Sequence, residues 1–297
     1  MNIPDSDKDK TLLIGFPEYE TQAQALAKAA SLPYATVDLH HFPDGESKLL
    51  LPTDLPEQVI LCRSLDRPND KLVELILAAA GIRNLGAKTV SLVAPYLCYM
   101  RQDKAFHPGE IVSQKIIGKC LANYFDGVLT VDAHLHRVHD LADAIPVQRA
   151  INITATNPMA HFMQQHVERP YLLGPDGESV QWVSDIAAHY QMDYGVAQKE
   201  RYGDRQVKVN IPVGDYGGRN IVLVDDVAST GKTLLEAAKG LQKYKPASIS
   251  VLVTHALFVD DAIPQLKKAG IGNIWSCDSI PHPSNAISLA EILADNL

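Results

Sequence analysis

Two adjacent acids, Asp225 and Asp226, close the apolar run Ile221-Val222-Leu223-Val224, and Ser229-Thr230-Gly231-Lys232-Thr233 follows them. Small residues running into a helix present consecutive backbone N–H groups, which together with the helix N-terminus form a cradle for an anion. Two carboxylates just ahead of that cradle suit sugar hydroxyls or a metal ion rather than a second anion. The combination points to a phosphate carried on a polyol. A Walker A loop is excluded, because it requires Gly five positions before Gly231 and that position is Asp226. An Asp-rich turn capping a helix is the plainer alternative. It is disfavoured because paired acids at a buried strand end are costly without a function.

Three further groups carry possible chemistry. Val131-Asp132-Ala133-His134-Leu135-His136 follows the apolar run Gly127–Thr130, and a carboxylate with a histidine at a strand end can hold a divalent metal or its waters. The same string resembles the HxH metal pair of amidohydrolases, but such pairs open a barrel-forming chain and this one is mid-chain; His136 and His139 read as surface-turn histidines. In Phe42-Pro43-Asp44-Gly45-Glu46 an aromatic face can stack on a base and two acids can accept from an exocyclic amine. A turn built on Pro43-Asp44-Gly45 explains that segment equally well. Met100-Arg101-Gln102-Asp103-Lys104 supplies cations suited to polyphosphate, and taken alone would be an ordinary solvated loop.

The elements that must position these groups are legible as alternation. Strands are expected at 12–15, 59–62, 90–94 and 127–131, and again at 171–173, 194–197, 221–224, 249–253 and 273–276. Most are continuous apolar runs, as parallel strands covered on both faces require. Helical stripes run between them: 69–80, carrying Leu72, Leu75, Ile76 and Ala79 with Asn69 or Asp70 as cap, and 233–244. Strand–helix alternation predicts an α/β fold of mainly parallel sheets. Its repetition suggests two units, 1–148 and 149–297, the last helix returning to the first. The polar stretch Arg201–Gly218 alternates only around Val207–Ile211 and reads as a β-ribbon or lid.

Composition narrows the partners. At 46% apolar and 21% charged, 297 residues suffice for real cores. A net charge of -8 argues against duplex nucleic acid, while a local basic cluster or a metal ion still permits phosphorylated small molecules. No apolar run approaches membrane-helix length, and Met1 to Lys10 is too polar for a signal peptide. Cys62, Cys98, Cys120 and Cys277 form no CxxC pair and read as reduced thiols, so a cytoplasmic setting is expected.

Taken in order, these motifs resemble the ribose-phosphate pyrophosphokinase family, also called phosphoribosyl pyrophosphate synthetases. The resemblance runs nearly end to end, from Leu12-Leu13-Ile14-Gly15 to Asp278-Ser279-Ile280-Pro281, and includes Pro68-Asn69-Asp70, Gly174-Pro175-Asp176 and Lys199-Glu200-Arg201. Phe106-His107-Pro108-Gly109-Glu110 and Gln181-Trp182 look closer to archaeal-type members. The resemblance implies two type I phosphoribosyltransferase domains with the active site between them. It implies transfer of the pyrophosphoryl group of ATP to the anomeric hydroxyl of ribose 5-phosphate, with Mg2+ as cofactor and release of AMP. Carried over by motif, Phe42, Asp44 and Glu46 would hold adenine from a neighbouring subunit, which requires a homo-oligomer, at least a dimer. Arg101, Gln102 and Asp103 would contact the nucleotide, and His134 and Asp176 would organise magnesium. Asp225 and Asp226 would hold the ribose hydroxyls, and Ser229, Thr230, Gly231, Lys232 and Thr233 the 5-phosphate. Lys199 and Arg201 would stabilise the transition state. Three positions depart from the common pattern: Ser229 replaces an Asp that touches ribose, Lys232 replaces a small residue, and Ala133 replaces a Leu. A phosphoribosyltransferase would not need the adenine and Arg-Gln motifs; a non-catalytic regulatory paralogue is the other alternative.

Overall fold

The computed structural model describes residues 3, 5–135, 138, 140–202 and 206–297. The chain divides into two compact units, Met1–Thr154 with Leu289–Leu297, and Ala155–Ser288. The first unit runs α1 (Asp5–Lys8), β1 (Thr11–Gly15), α2 (Glu20–Ala30), β2 (Tyr34–Thr36), β3 (Asp38–His41), β4 (Ser47–Leu50) and β5 (Gln58–Cys62). It continues through α3 (Pro68–Asn84), β6 (Thr89–Ala94), α4 (Ser113–Ala122), β7 (Gly127–Val131), α5 (Leu141–Ala144) and β8 (Arg149–Ile153). A six-stranded sheet in the order β2-β1-β5-β6-β7-β8 is parallel throughout. β3 and β4 form a separate antiparallel hairpin. The buried runs expected from sequence are the strands of this sheet, and Leu13, Ile14, Leu61, Leu92 and Val128 are fully enclosed.

Two expectations are corrected here. β8 pairs with β7 from Arg149 to Ile153, so the first unit runs past residue 148 and the hand-over falls between Thr154 and Ala155. A cut after 148 would strip the sheet of its edge strand. Helix α3 is not capped by Asn69 or Asp70: its N-cap is Arg67 at φ 48, and Pro68 opens the helix, where a missing N–H costs nothing. Asn69 Oδ1 instead accepts from the Tyr99 hydroxyl at 2.5 Å. At the C-terminus, the helix Ala290–Ala294 packs on α2, and Leu297 O accepts from the Ile3 amide at 2.8 Å.

Gly118 shows how tightly the helical layer is set. A Cβ at this position of α4 would stand 1.8 Å from the carbonyl oxygen of Ala144. Backbone cannot yield as a flexible side chain does, so Gly118→Ala is expected to destabilise the first unit by about 2–3 kcal/mol, at the upper end of overpacking costs. Chemical denaturation would measure it, and an unchanged midpoint would show that α4 can slide freely on α5.

The second unit runs α6 (Thr156–His166), β9 (Pro170–Gly174), α7 (Val180–Tyr190), β10 (Asp193–Val196), β11 (Gln198–Tyr202), β12 (Gln206–Asn210) and β13 (Asn220–Ala228). Then come α8 (Lys232–Gln242), β14 (Ser248–Ala256), α9 (Ala262–Lys268), β15 (Asn273–Cys277) and β16 (Asn285–Ile287). Its sheet, ordered β10-β9-β13-β14-β15-β16, is again six-stranded and parallel. Ile221, Leu223, Val251 and Val253 are fully buried at its centre, each contributing about 1.5–3 kcal/mol by leaving water. The polar stretch after Ala197 does contain a ribbon, β11 paired antiparallel with β12. None of the four cysteines is in a disulfide, and Cys62, Cys98 and Cys277 are buried. Among the described residues, no helix is long and apolar enough to cross a membrane.

Candidate functional site

In a parallel sheet every strand delivers its following loop to the same edge, the carboxyl edge, which is where open α/β sheets bind ligands. In the second unit that edge receives Asp176 after β9, Lys199 after β10 and the acid pair from β13. The strand β13 is longer than the apolar run suggested. Asp225 pairs with Val253, Val227 with His255 and Ala228 with Ala256, so the two acids lie within the strand rather than at its end. Asp226 is buried and takes the Val227 amide on Oδ1 at 2.8 Å. Asp225 keeps part of its surface open and takes the Asp226 amide on Oδ1 at 3.1 Å. Asp176 is also buried; its Oδ1 accepts from the Glu178 amide at 3.1 Å, which fixes the turn leading to α7.

The electrostatics follow from that crowding. Desolvation, and then the neighbouring carboxylates of Asp226 and Asp176, push Asp225 well above the usual carboxylate range. Charge of one sign is therefore concentrated where a polyol or a cation could relieve it. Among the described residues, no group of three or more His, Cys, Asp or Glu side chains could by itself cage a metal ion. A magnesium ion needs no such cage, since it keeps waters and substrate phosphates and takes only one or two protein carboxylates.

The loop after β13 is anchored by its carbonyls. Ala228 O accepts from the amides of Leu257 and Phe258 at 3.0 and 2.9 Å, and Ser229 O accepts from the Val259 amide at 3.1 Å. Ser229 is half-buried, whereas Thr230 and Lys232 are exposed. Gly231 is the N-cap of α8 in the left-handed region, at φ 66, which only glycine enters without cost. The helix starts at Lys232 rather than Thr233, with neither a side-chain cap nor an acid in its first turn. The first turn thus brings no carboxylate of its own to the leading amides and dipole, an arrangement suited to a phosphate. Lys199 and Arg201 belong to β11, opposite Val209 and Val207 of β12; the positions of their side chains lie outside what the structure describes.

The first unit presents the other sequence-derived residues at its own carboxyl edge. Phe42 is 41% exposed at the tip of the β3–β4 hairpin, where its amide donates to Glu46 O at 2.8 Å and the Glu46 amide donates to Asp44 Oδ1 at 3.2 Å. Arg101 is exposed, and Gln102 and Asp103 are half-buried in the loop between β6 and α4. That loop is pinned by Gln114, a buried residue missed in the sequence: its side-chain amide donates to Met100 O at 3.2 Å and its backbone amide to Gln102 O at 3.3 Å. A glutamine in the first turn of a helix, after a cationic loop, is the one local signal it offers. His134 is half-buried after β7, beyond Asp132 at φ 40 and Ala133, whose amide donates to Asn152 Oδ1 at 2.9 Å. His136 and His139 lie outside the described residues.

Two parallel α/β units, one of them with an acid pair feeding an uncapped helix through a glycine turn, define a protein of the phosphoribosyltransferase type. Residues 12–124 match the N-terminal domain of ribose phosphate pyrophosphokinase, and residues 152–290 match the phosphoribosyl transferase domain. The chain is 30% identical over 273 residues to the ribose-phosphate pyrophosphokinase of Methanopyrus kandleri, covering 91% of this chain and 92% of that one. It is also 30% identical over 285 residues to ribose-phosphate pyrophosphokinase 2 of Archaeoglobus fulgidus, covering 96% and 99%. Its fold superposes on the crystal structure of phosphoribosylpyrophosphate synthetase from Mycobacterium smegmatis with a TM-score of 0.83 at 20% identity, over 96% of this chain and 97% of that one. The chain belongs to the ribose-phosphate pyrophosphokinase family.

Proposed function

We propose that this protein transfers the pyrophosphoryl group of ATP to the anomeric hydroxyl of ribose 5-phosphate, giving phosphoribosyl pyrophosphate and AMP. The observation that carries the reading is the join of β13 to α8: crowded acids beside a helix start that carries no cap and no acid. Asp225 and Asp226 take the ribose hydroxyls, and Ser229, Thr230, Gly231, Lys232 and Thr233 enclose the 5-phosphate. Phe42, Asp44 and Glu46 face adenine, while Arg101, Gln102 and Asp103 bind the nucleotide phosphates and sugar.

The anomeric oxygen attacks the β-phosphorus of ATP; a new O–P bond forms as the bond from that phosphorus to the αβ-bridging oxygen breaks. AMP leaves with the bridging oxygen, and the hydroxyl proton passes to solvent. Little covalent work falls to the protein in such a transfer, so its contribution is alignment and cationic stabilisation. Lys199 and Arg201 supply the cations. His134 and Asp176 would hold magnesium, which supplies neutralisation of the triphosphate charge. A homo-oligomer of at least two chains and a cytoplasmic setting belong to the same reading, which includes neither a nucleic acid nor a membrane.

The test incubates the protein with ATP, magnesium and ribose 5-phosphate and follows AMP and phosphoribosyl pyrophosphate together. The two products are expected to appear one for one, with no AMP when the sugar is omitted. AMP release independent of the sugar, or none across several divalent metals, overturns the reading.

A further inference from the structure

The first unit buries one ionic cluster that the proposed chemistry leaves unassigned, and it stands at the root of the hairpin that carries Phe42, Asp44 and Glu46. Glu74 on α3 and Arg63, just beyond β5, are each 2% exposed, and Arg63 Nη2 donates to Glu74 Oε2 at 2.5 Å. The other carboxylate oxygen, Glu74 Oε1, accepts from Ser47 Oγ at 2.7 Å and from His41 Nε2 at 2.7 Å. His41 and Ser47 face each other as the last residue of β3 and the first of β4. One buried oxygen therefore ties both legs of the hairpin at the point where its five-residue tip begins.

Arg63 is held as firmly as Glu74. Its Nε donates to Glu18 Oε1 at 2.6 Å, its Nη1 donates to Lys71 O at 3.1 Å, and its guanidinium lies 3.9 Å from the centre of the Phe16 ring. Its amide donates to Val93 O at 3.0 Å, inside the sheet. Desolvation acts to raise the Glu74 pKa, but hydrogen bonds from Ser47, Arg63 and His41 outweigh it and hold the carboxyl below its usual range. The acceptor thus stays ionised. A hairpin of two four-residue strands has little stability of its own, so the direction of its tip depends on what it is tied to.

We propose that Glu74 is a positioning residue for nucleotide binding: backed by Arg63, it clamps His41 and Ser47 and so sets where the Phe42–Glu46 tip stands. The inference rests on the reading that this tip binds adenine. Groups that fix a binding element are felt as strongly as direct contacts when the element is otherwise free to move.

The double variant His41→Ala with Ser47→Ala tests it, because it frees the hairpin and leaves the buried Arg63–Glu74 pair intact. The KM for ATP is expected to rise about tenfold, while kcat at saturating ATP and the KM for ribose 5-phosphate stay within about twofold. The conservative variant Ser47→Thr, which keeps the hydroxyl, is expected to match wild type. ATP affinity measured by calorimetry in the absence of sugar separates this inference from the proposed reaction. An unchanged ATP Kd in the double variant overturns the clamp. Wild-type protein that binds ATP and releases no AMP overturns the reaction alone. Equal losses in both KM values and in the melting temperature would mark a general structural role and also overturn the clamp.

Discussion

Lys199→Ala is expected to lower kcat for AMP release by about a thousandfold, with both KM values within about threefold of wild type. The size follows from the kind of step involved. Phosphoryl transfer spreads charge over non-bridging oxygens only as the transition state forms, so a cation aimed at that charge acts on kcat and little on ground-state binding. Removal of one such donor costs about a hundredfold to a thousandfold in related sites, and more for a cation in phosphoryl transfer. Lys199→Arg is expected to recover only part of the rate, since a planar fork does not reproduce a compact ammonium. Stopped assays of AMP over a range of both substrates give the split between kcat and KM. If Lys199-Glu200-Arg201 were only a solvated run on β11, the variant would lose less than about twofold, as surface charges do. That result would remove Lys199 from the chemistry.

Asp225→Asn carries the second large effect, and it acts in opposite directions on activity and stability. Loss of an acceptor for the ribose hydroxyls is expected to cut kcat/KM for ribose 5-phosphate by about a hundredfold. The ligand-free protein, by contrast, is expected to melt about 2–4 °C higher, which corresponds to about 1 kcal/mol for a unit of this size. The reason is the burial and the neighbouring acids that raise the Asp225 pKa above its ordinary 3.8. Between 3.8 and the raised value, the folded chain holds a proton that the unfolded chain releases. Unfolding therefore releases protons in that window, and rising pH costs stability through it. The asparagine removes this slope. Melting curves from acid to neutral pH, with and without ribose 5-phosphate and magnesium, check both halves: wild type should gain more from the ligands than the variant does. A variant that is fully active, or less stable than wild type without ligand, would contradict this account of the acid pair.

The apolar runs were enough to place the central strands and to make their sheets parallel, because burial on both faces leaves a continuous local signature. The turn at Gly231 into a helix was legible for a related reason, since a glycine turn before a helix is a local event. So was the candidacy of Phe42, Arg101 and His134, which the family resemblance then ordered into one reaction. What tertiary structure decided involves partners remote in the chain. β13 continues through Asp225 and Asp226 because β14 offers Val253 and His255 to pair with, which the apolar run ending at Val224 could not disclose. β8 belongs to the first unit because β7 lies beside it. The raised pKa of Asp225 comes first from desolvation, then from Asp226, and then from Asp176, which arrives from a different strand end. Nothing in the segment 69–80 singles out Glu74, and its partners are evident only where β3, β4 and β5 bring His41, Ser47 and Arg63 to it. Periodicity reports which face of an element is covered; which groups meet there, and in what charge state, is fixed by the packing that covers it.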